Sequence, residues 1–200
     1  MKAIVFDFGN VLGYFDHGKT LRKLAEHTDL SVKQMRELFY AAHLEEAFEA
    51  GQMSGQAFLE ELHKLGRLRC TPEFTAEAWG DIFTPNEEVC ALVPRLKPGY
   101  KLLLGSNTNA LHSRVFLKQF EEVLAHFDTV VLSHEIGVRK PKPGFFEHCR
   151  RLAGCAAAEC VFIDDLPANV AGARELGWHG IVFTGVADLK RELDRFGISV

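Results

Sequence analysis

Asp7 closes the apolar run Ala3–Phe8, a place where an unpartnered carboxylate would be costly to hold. Three later apolar runs also end on residues able to do chemistry. One ends in Gly105-Ser106-Asn107-Thr108-Asn109, one in Ser133-His134 with Arg139-Lys140-Pro141-Lys142 soon after, and one in Asp164-Asp165. If the runs are parallel strands, their carboxyl ends share one rim, and ligands bind at that rim. It would gather the carboxylates of Asp7, Asp164 and Asp165, a hydroxyl and an amide from Ser106 and Asn107, and one or more cationic side chains. Three carboxylates in one cleft repel one another unless a cation sits among them. Hard oxygen donors with open positions suit Mg²⁺, whereas zinc prefers nitrogen and sulfur. A Mg²⁺ site facing a hydroxyl, an amide and a lysine is a receptor for a phosphoryl group. Asp7 could then attack in line and carry the group as an aspartyl-phosphate.

Those residues need a scaffold that brings them together. The runs Ala3–Phe8, Lys101–Gly105, Thr129–Ser133, Cys160–Ile163 and Gly180–Phe183 are continuous rather than alternating, as in strands buried on both faces. Helix-like segments separate the later runs, which predicts an α/β fold with a doubly wound parallel sheet. The first gap is different, with about ninety residues between Phe8 and Lys101. Ser31-Val32-Lys33-Gln34 is a capping box, Ser54 opens an apolar helical run closing at Gly66, and Thr71-Pro72 reads as a cap followed by a first-turn proline. Asn86 opens a further helix, Val89 to Leu96, which Pro98-Gly99 ends. A crossover needs one helix. Residues 15–84 are therefore expected to form an inserted helical cap, with residues 1–14 and 85–200 as the core domain.

The composition agrees with such a domain. Hydrophobic residues at 47% and charged residues at 25% exclude long disorder and coiled coils. With 23 Lys+Arg against 27 Asp+Glu there is no basic excess to bind nucleic acid or an anionic membrane. No stretch reaches the roughly 20 apolar residues of a membrane span. A soluble, cytoplasmic monomer or homodimer acting on a small phosphorylated metabolite is expected. The five cysteines form no CxxC pair, which argues against a disulfide framework and a zinc site.

The strand-end residues resemble, in order, the four motifs of the haloacid-dehalogenase-like hydrolase superfamily, whose members are mostly Mg²⁺-dependent phosphatases. The matching stretches are Asp7-Phe8-Gly9-Asn10-Val11, Ser106-Asn107, Lys140 before Pro141, and Phe162-Ile163-Asp164-Asp165 followed by Asn169. Capped sugar-1-phosphate phosphatases and the phosphatase domain of soluble epoxide hydrolase are the most similar branches. The resemblance implies that Asp7 is the nucleophile and that Ser106 and Asn107 bind phosphoryl oxygens. Lys140 would hold nucleophile and phosphate in place. Mg²⁺ would sit on Asp7, the Gly9 carbonyl and Asp165, with Asp164 and Asn169 behind them. One position departs from the pattern: Gly9 stands where the superfamily usually has a second aspartate, its general acid and base. Such help is typically worth about 10²–10⁴-fold, so good leaving groups would suffer least from its loss. Two rival readings keep the fold: a metal-independent 2-haloacid dehalogenase and a non-catalytic binding protein.

His112 and His134 fall near loop positions, within possible reach of a substrate, although structurally bonded histidines are commoner. Phe15, Phe39, Tyr40 and Phe48 face either the cleft or the core of the insertion. Glu45, Glu46 and Glu49 read as a solvated helix face.

Overall fold

The computed structural model describes the backbone of residues 1–200 and all side chains except those of Tyr40 and Ala41. The expectation for Tyr40 lies outside the described residues. The first half of the chain runs β1 (Ala3–Phe6), β2 (Gly13–Phe15), α1 (His17–Ala25), α2 (Val32–Ala41), α3 (Leu44–Glu49), α4 (Gly55–Gly66), α5 (Pro72–Gly80) and β3 (Phe83–Pro85). It continues through α6 (Glu87–Cys90), α7 (Val93–Leu96), β4 (Lys101–Ser106), α8 (Ala110–Gln119), α9 (Glu121–Leu124), β5 (Thr129–Leu132) and α10 (Ser133–Ile136). The last part is α11 (Pro143–Ala153), β6 (Cys160–Asp164), α12 (Pro167–Glu175), β7 (His179–Val182) and α13 (Val186–Arg195).

Five strands form one parallel sheet in the order β5-β4-β1-β6-β7. The apolar runs are continuous because helices cover both faces. Ile4, Phe6, Leu102, Leu104, Val161 and Ile163 pack into a core with Val89, Val93, Phe116 and Leu193. Their alternates Val5, Leu103 and Phe162 pack on the other face with Phe145, Phe146, Val170 and Trp178. This is the period of two that side chains on a strand must follow. From β1 the chain adds β4 and β5 on one side, then returns to add β6 and β7 on the other. The direction reverses between β1 and β6, where crevices form in such sheets. Asp7 follows β1, and Asp164-Asp165 ends β6.

The strand ends differ from expectation by a residue or two. β1 stops at Phe6, because Phe8 turns its carbonyl back to accept from Leu12 and Gly13 N–H at 2.9 Å each. Ser133 opens α10 rather than closing β5. A short antiparallel ribbon, β2 with β3, was not legible, since three-residue strands carry no periodic signal. It pairs Phe15 with Phe83 and so ties together the two ends of the segment carrying α1–α5.

Within that segment the expected caps form. Ser31 N–H donates to Gln34 Oε1 at 2.9 Å and Gln34 N–H to Ser31 Oγ at 3.3 Å. Ser54 and Thr71 accept from Ala57 and Phe74 N–H. α4 ends at Gly66 as expected, and the left-handed residue that caps it is Arg67, with φ of 49°. The helix expected over Val89–Leu96 is split in two: Pro94 has no N–H to carry the first helix onward. Phe48, Phe58, Leu62 and Trp79 make an apolar cluster that also takes in Leu111 from α8. Among the described residues no helix is long and apolar enough to cross a membrane.

Gly13 starts the ribbon under two buried rings. A Cβ there would lie 2.8 Å from the Phe120 ring and 3.0 Å from that of Phe8. Gly13→Ala is expected to cost about 1–3 kcal/mol of stability, as overpacking does. Denaturant unfolding would check it; an unchanged midpoint would refute the packing argument.

Candidate active site

β1 delivers Asp7 to the rim with its backbone still paired to β6, Asp7 N–H donating to Ile163 O at 2.8 Å. Its Oδ1 accepts from Phe8 N–H at 2.7 Å and lies 2.7 Å from Lys140 Nζ. Lys140 is buried, and its ammonium also donates to Asp164 Oδ2 and to Gly105 O, both at 2.8 Å. All three N–H groups of the ammonium thus have acceptors. Asn107 holds the lysine backbone from both sides: Oδ1 accepts from Lys140 N–H at 2.8 Å, and Nδ2 donates to Lys140 O at 3.0 Å. Asp164 is fully buried and accepts from Asn169 Nδ2 on both oxygens at 3.0 Å and from Leu166 N–H at 2.9 Å.

Asp165 is half-buried, and its Oδ2 accepts from Asn10 Nδ2 at 2.9 Å. Asn10 was not foreseen. It sits at φ of 55°, a conformation that asparagine tolerates better than most residues, so Gly9-Asn10 was the available signal. Ser106 is buried and its hydroxyl makes only a long contact, 3.4 Å to Asn107 O. That hydroxyl remains available to another acceptor.

The charges do not balance. Oxygens of Asp7, Asp164 and Asp165 lie within 4.8 Å of one another, with one ammonium among them. Burial raises the Asp7 carboxyl to about 8; Lys140 pulls against the rise and Asp164 adds to it. Asp165 is raised too, first by burial. Burial opposes the Lys140 ammonium, but Asp7 and Asp164 outweigh it and hold its pKa above the ordinary lysine value. Asp164 spends its oxygens on Lys140, Asn169 and Leu166. Asp7 Oδ2 and Asp165 Oδ1 have no hydrogen-bond partner among the described residues. A surplus of negative charge with free, hard carboxylate oxygens fits a divalent cation such as Mg²⁺.

Gly9 adjoins this cluster, and the space beside it is not vacant. A Cβ there would lie 3.0 Å from Cε1 of Phe15. A small cavity of about 60 Å³ is lined by Gly9, Ser106, Asn107 and Thr108 on the core side. A larger one of about 410 Å³ lies among the inserted helices, with Phe39, Phe58, Trp79, Arg36 and Arg139 in its walls. Phe15, His17, Glu45 and Glu49 line both, so they stand between the strand-end residues and the larger chamber. Phe15 and Phe39 face cavity, whereas Phe48 is core. Glu49 departs from the expected solvated face: its side chain is 13% exposed and pairs with Arg139 at 2.8 Å. Arg139 comes from the loop after α10, ninety residues along the chain, where no local pattern could reveal it.

The histidines divide. His134 Nδ1 lies 3.1 Å from Thr108 O and outside both cavities. His112 is buried, with Nε2 at 3.1 Å from Trp79 O and Nδ1 at 3.0 Å from Asn109 Nδ2. Asn109 Oδ1 already accepts from Leu111 and His112 N–H, so its Nδ2 donates and His112 Nδ1 accepts. That assigns the neutral ring with its proton on Nε2. Burial, with His17 nearby, pushes its pKa down to about 3.

A sequence profile of the haloacid dehalogenase-like hydrolases matches residues 1–177. The D-ribitol-5-phosphate phosphatase of Bacteroides thetaiotaomicron is 26% identical over 199 residues, covering 96% of this chain and 97% of that protein. A predicted HAD-like family hydrolase of known structure from Porphyromonas gingivalis superposes with a TM-score of 0.81 at 28% identity, over 96% of this chain and 98% of the other. A Bacteroides thetaiotaomicron HAD family enzyme, solved with magnesium and inorganic phosphate, gives 0.79 at 22% identity, over 90% and 93%; it speaks for the fold.

The buried His112 has a consequence for stability. The unfolded chain takes up the proton below about pH 6.5, while the folded chain resists until about pH 3. Between those values the unfolded state binds more protons, so this residue lowers stability as pH falls, by up to about 1.4 kcal/mol per pH unit. Relative to wild type, His112→Gln should be least destabilised near pH 4 and most at pH 7. Unfolding free energies across that range would test it; a constant difference would refute it.

Proposed function

We propose that this chain, which belongs to the haloacid dehalogenase-like hydrolase family, hydrolyses small phosphomonoesters through an aspartyl-phosphate on Asp7 with the help of one Mg²⁺. The observation that carries this reading is the free Asp7 oxygen beside a charge-imbalanced set of three carboxylates and one lysine. Asp7 and Asp165, with the Gly9 carbonyl, would hold Mg²⁺, and the ion would supply charge neutralisation for the phosphoryl group. Lys140 fixes the Asp7 carboxylate through Oδ1, so that one of its oxygens could meet the ion while the other attacks phosphorus. Ser106 Oγ, buried and without a short hydrogen bond, would bind a phosphoryl oxygen. Asn107 serves this by fixing Lys140, and Asp164 with Asn169 fixes the ammonium from behind.

In this reading residues 15–84 form the cap, and the 410 Å³ chamber takes the alcohol part of the ester. That volume is at the small end of ligand pockets and suits a sugar- or polyol-sized phosphate. The ribitol-phosphate activity in the name of the Bacteroides relative points the same way. A metal-free dehalogenase would gain nothing from Asp164 and Asp165 beside its nucleophile, since each added carboxylate opposes the next. A binding protein that had lost the chemistry would gain nothing from a buried, unbalanced charge cluster.

Asp7→Asn is expected to abolish phosphate release from a panel of sugar, acyl and nucleotide phosphates, with the fold intact. EDTA should abolish wild-type activity and added Mg²⁺ restore it. Full turnover by the variant would dismiss Asp7 as nucleophile. Activity that survives EDTA, with chloride released from 2-chloropropionate, would favour the dehalogenase.

A further inference from the structure

Gly9 leaves the phosphatase reading without a proton donor for the departing alcohol, and the inserted helices place a carboxyl in the same cavity. We propose that Glu49 is the general acid and base of this enzyme, acting from α3 across the junction of the two cavities. In the first half-reaction a carboxylate oxygen of Asp7 bonds to phosphorus as the ester P–O bond breaks. The leaving oxygen keeps the electron pair and takes the Glu49 proton. In the second, water bonds to phosphorus, the Asp7–phosphorus bond breaks with its electrons returning to the carboxylate, and Glu49 takes the water's proton. The sum is alcohol and inorganic phosphate, with Glu49 protonated again.

Position is the first support. Glu49 lines the small cavity with Gly9, Ser106 and Asn107 and also lines the chamber that would hold the alcohol, so it stands at the junction of the two. Its anchoring is the second. Ser133 Oγ donates to Glu49 O at 2.6 Å and accepts from Thr108 N–H at 2.9 Å, two residues beyond Ser106. Gly51 lies so close to the core that a Cβ would come 2.4 Å from His134 O. The side chain is held by Arg139, the neighbour in sequence of Lys140. Glu49 is thus fixed to the same rim of the sheet as Asp7, through the ends of β4 and β5.

Its surroundings suit proton transfer. Glu45 lies on the same helix, His17 on α1, and Arg139 and Lys140 on the loop after α10. Burial, then Glu45, pushes the Glu49 carboxyl up to about 7, against the pull of Arg139 and Lys140. An acid poised near the working pH is the most effective kind. Glu45 and His17 share the cavity wall but lack the tie to the core; Glu45 is 32% exposed and meets His17 only at 3.7 Å.

This proposal rests on the phosphatase reading, and its test separates the two. With Mg²⁺, Glu49→Gln should lower turnover of an alkyl phosphate such as ribitol 5-phosphate by about 10²-fold or more. On p-nitrophenyl phosphate, whose leaving group needs no proton, the same variant should release a fast stoichiometric burst of nitrophenolate. Slow turnover should follow, limited by hydrolysis of the aspartyl-phosphate. The burst itself demonstrates a folded site. Alkyl phosphate turnover within about threefold of wild type would overturn the assignment and leave the phosphatase reading intact. Loss of the burst together with all turnover would also overturn it, making Glu49 structural. Wild-type protein inert on both substrates and on the wider phosphate panel would overturn the phosphatase reading, and this proposal with it.

Discussion

The site is organised around one buried ammonium. Lys140 is almost fully covered, and a bare cation in that position would cost several kcal/mol in lost hydration. It is tolerable because Asp7, Asp164 and the Gly105 carbonyl take its protons at 2.7–2.8 Å. Each acceptor comes from the end of a different strand: β1, β6 and β4. The lysine itself comes from the loop beyond β5 and α10 and is seated by Asn107 from the loop after β4. Removing the lysine would leave Asp7 and Asp164 buried with unpaired charge, a loss of about 3–5 kcal/mol in comparable pairs. The same contacts that stabilise this end of the sheet therefore hold the Asp7 carboxylate still.

That arrangement dictates both the sheet order and the need for a cation. Asp7 and Asp164 can share one ammonium only if β1 and β6 are neighbours, and β4 must flank β1 for Gly105 to reach it. The strand order satisfies both conditions at the point where the sheet reverses direction. One ammonium cannot neutralise three carboxylates, however, and Asp165 has only the Asn10 amide for company. The surplus is tolerable in a site that binds a divalent ion, because the ion then supplies the missing charge.

Strand-end chemistry was legible in the sequence because burial leaves few polar residues in an apolar run, and those that remain stand out. Asp7, Ser106, Asp164 and Asp165 all fell within reach of that argument, and the five-stranded sheet came with them; Lys140 could be told from Arg139 and Lys142 only by the family resemblance. Contacts between distant segments were out of its reach. Asn107 could be placed at the rim but not seen to clamp the Lys140 backbone, thirty-three residues away. Glu49 looked like part of a solvated acidic face because helical periodicity says which residues share a face, not what covers it. Arg139 and the core cover it. The β2–β3 ribbon and the left-handed cap of α4 at Arg67 escaped for a simpler reason: each is decided by one or two residues, too few to form a pattern.

The inserted helices are more than a lid resting on the sheet. They are fastened to the core by the ribbon at their two ends, by Ser133 on the Glu49 carbonyl, and by His112 on the Trp79 carbonyl. Leu111, on the core helix α8, completes their apolar cluster. The last two polar ties end at residues that line the chamber, Glu49 and Trp79. Walls pinned at those points keep their distance from Asp7. Arg36, Phe39 and His43 lie between the ribbon and Glu49, on or beside α2, and touch the chamber away from the strand ends. The shape of the chamber can thus change through α2 and its flanks without disturbing Lys140 or its partners, which separates the charged rim from the chamber walls.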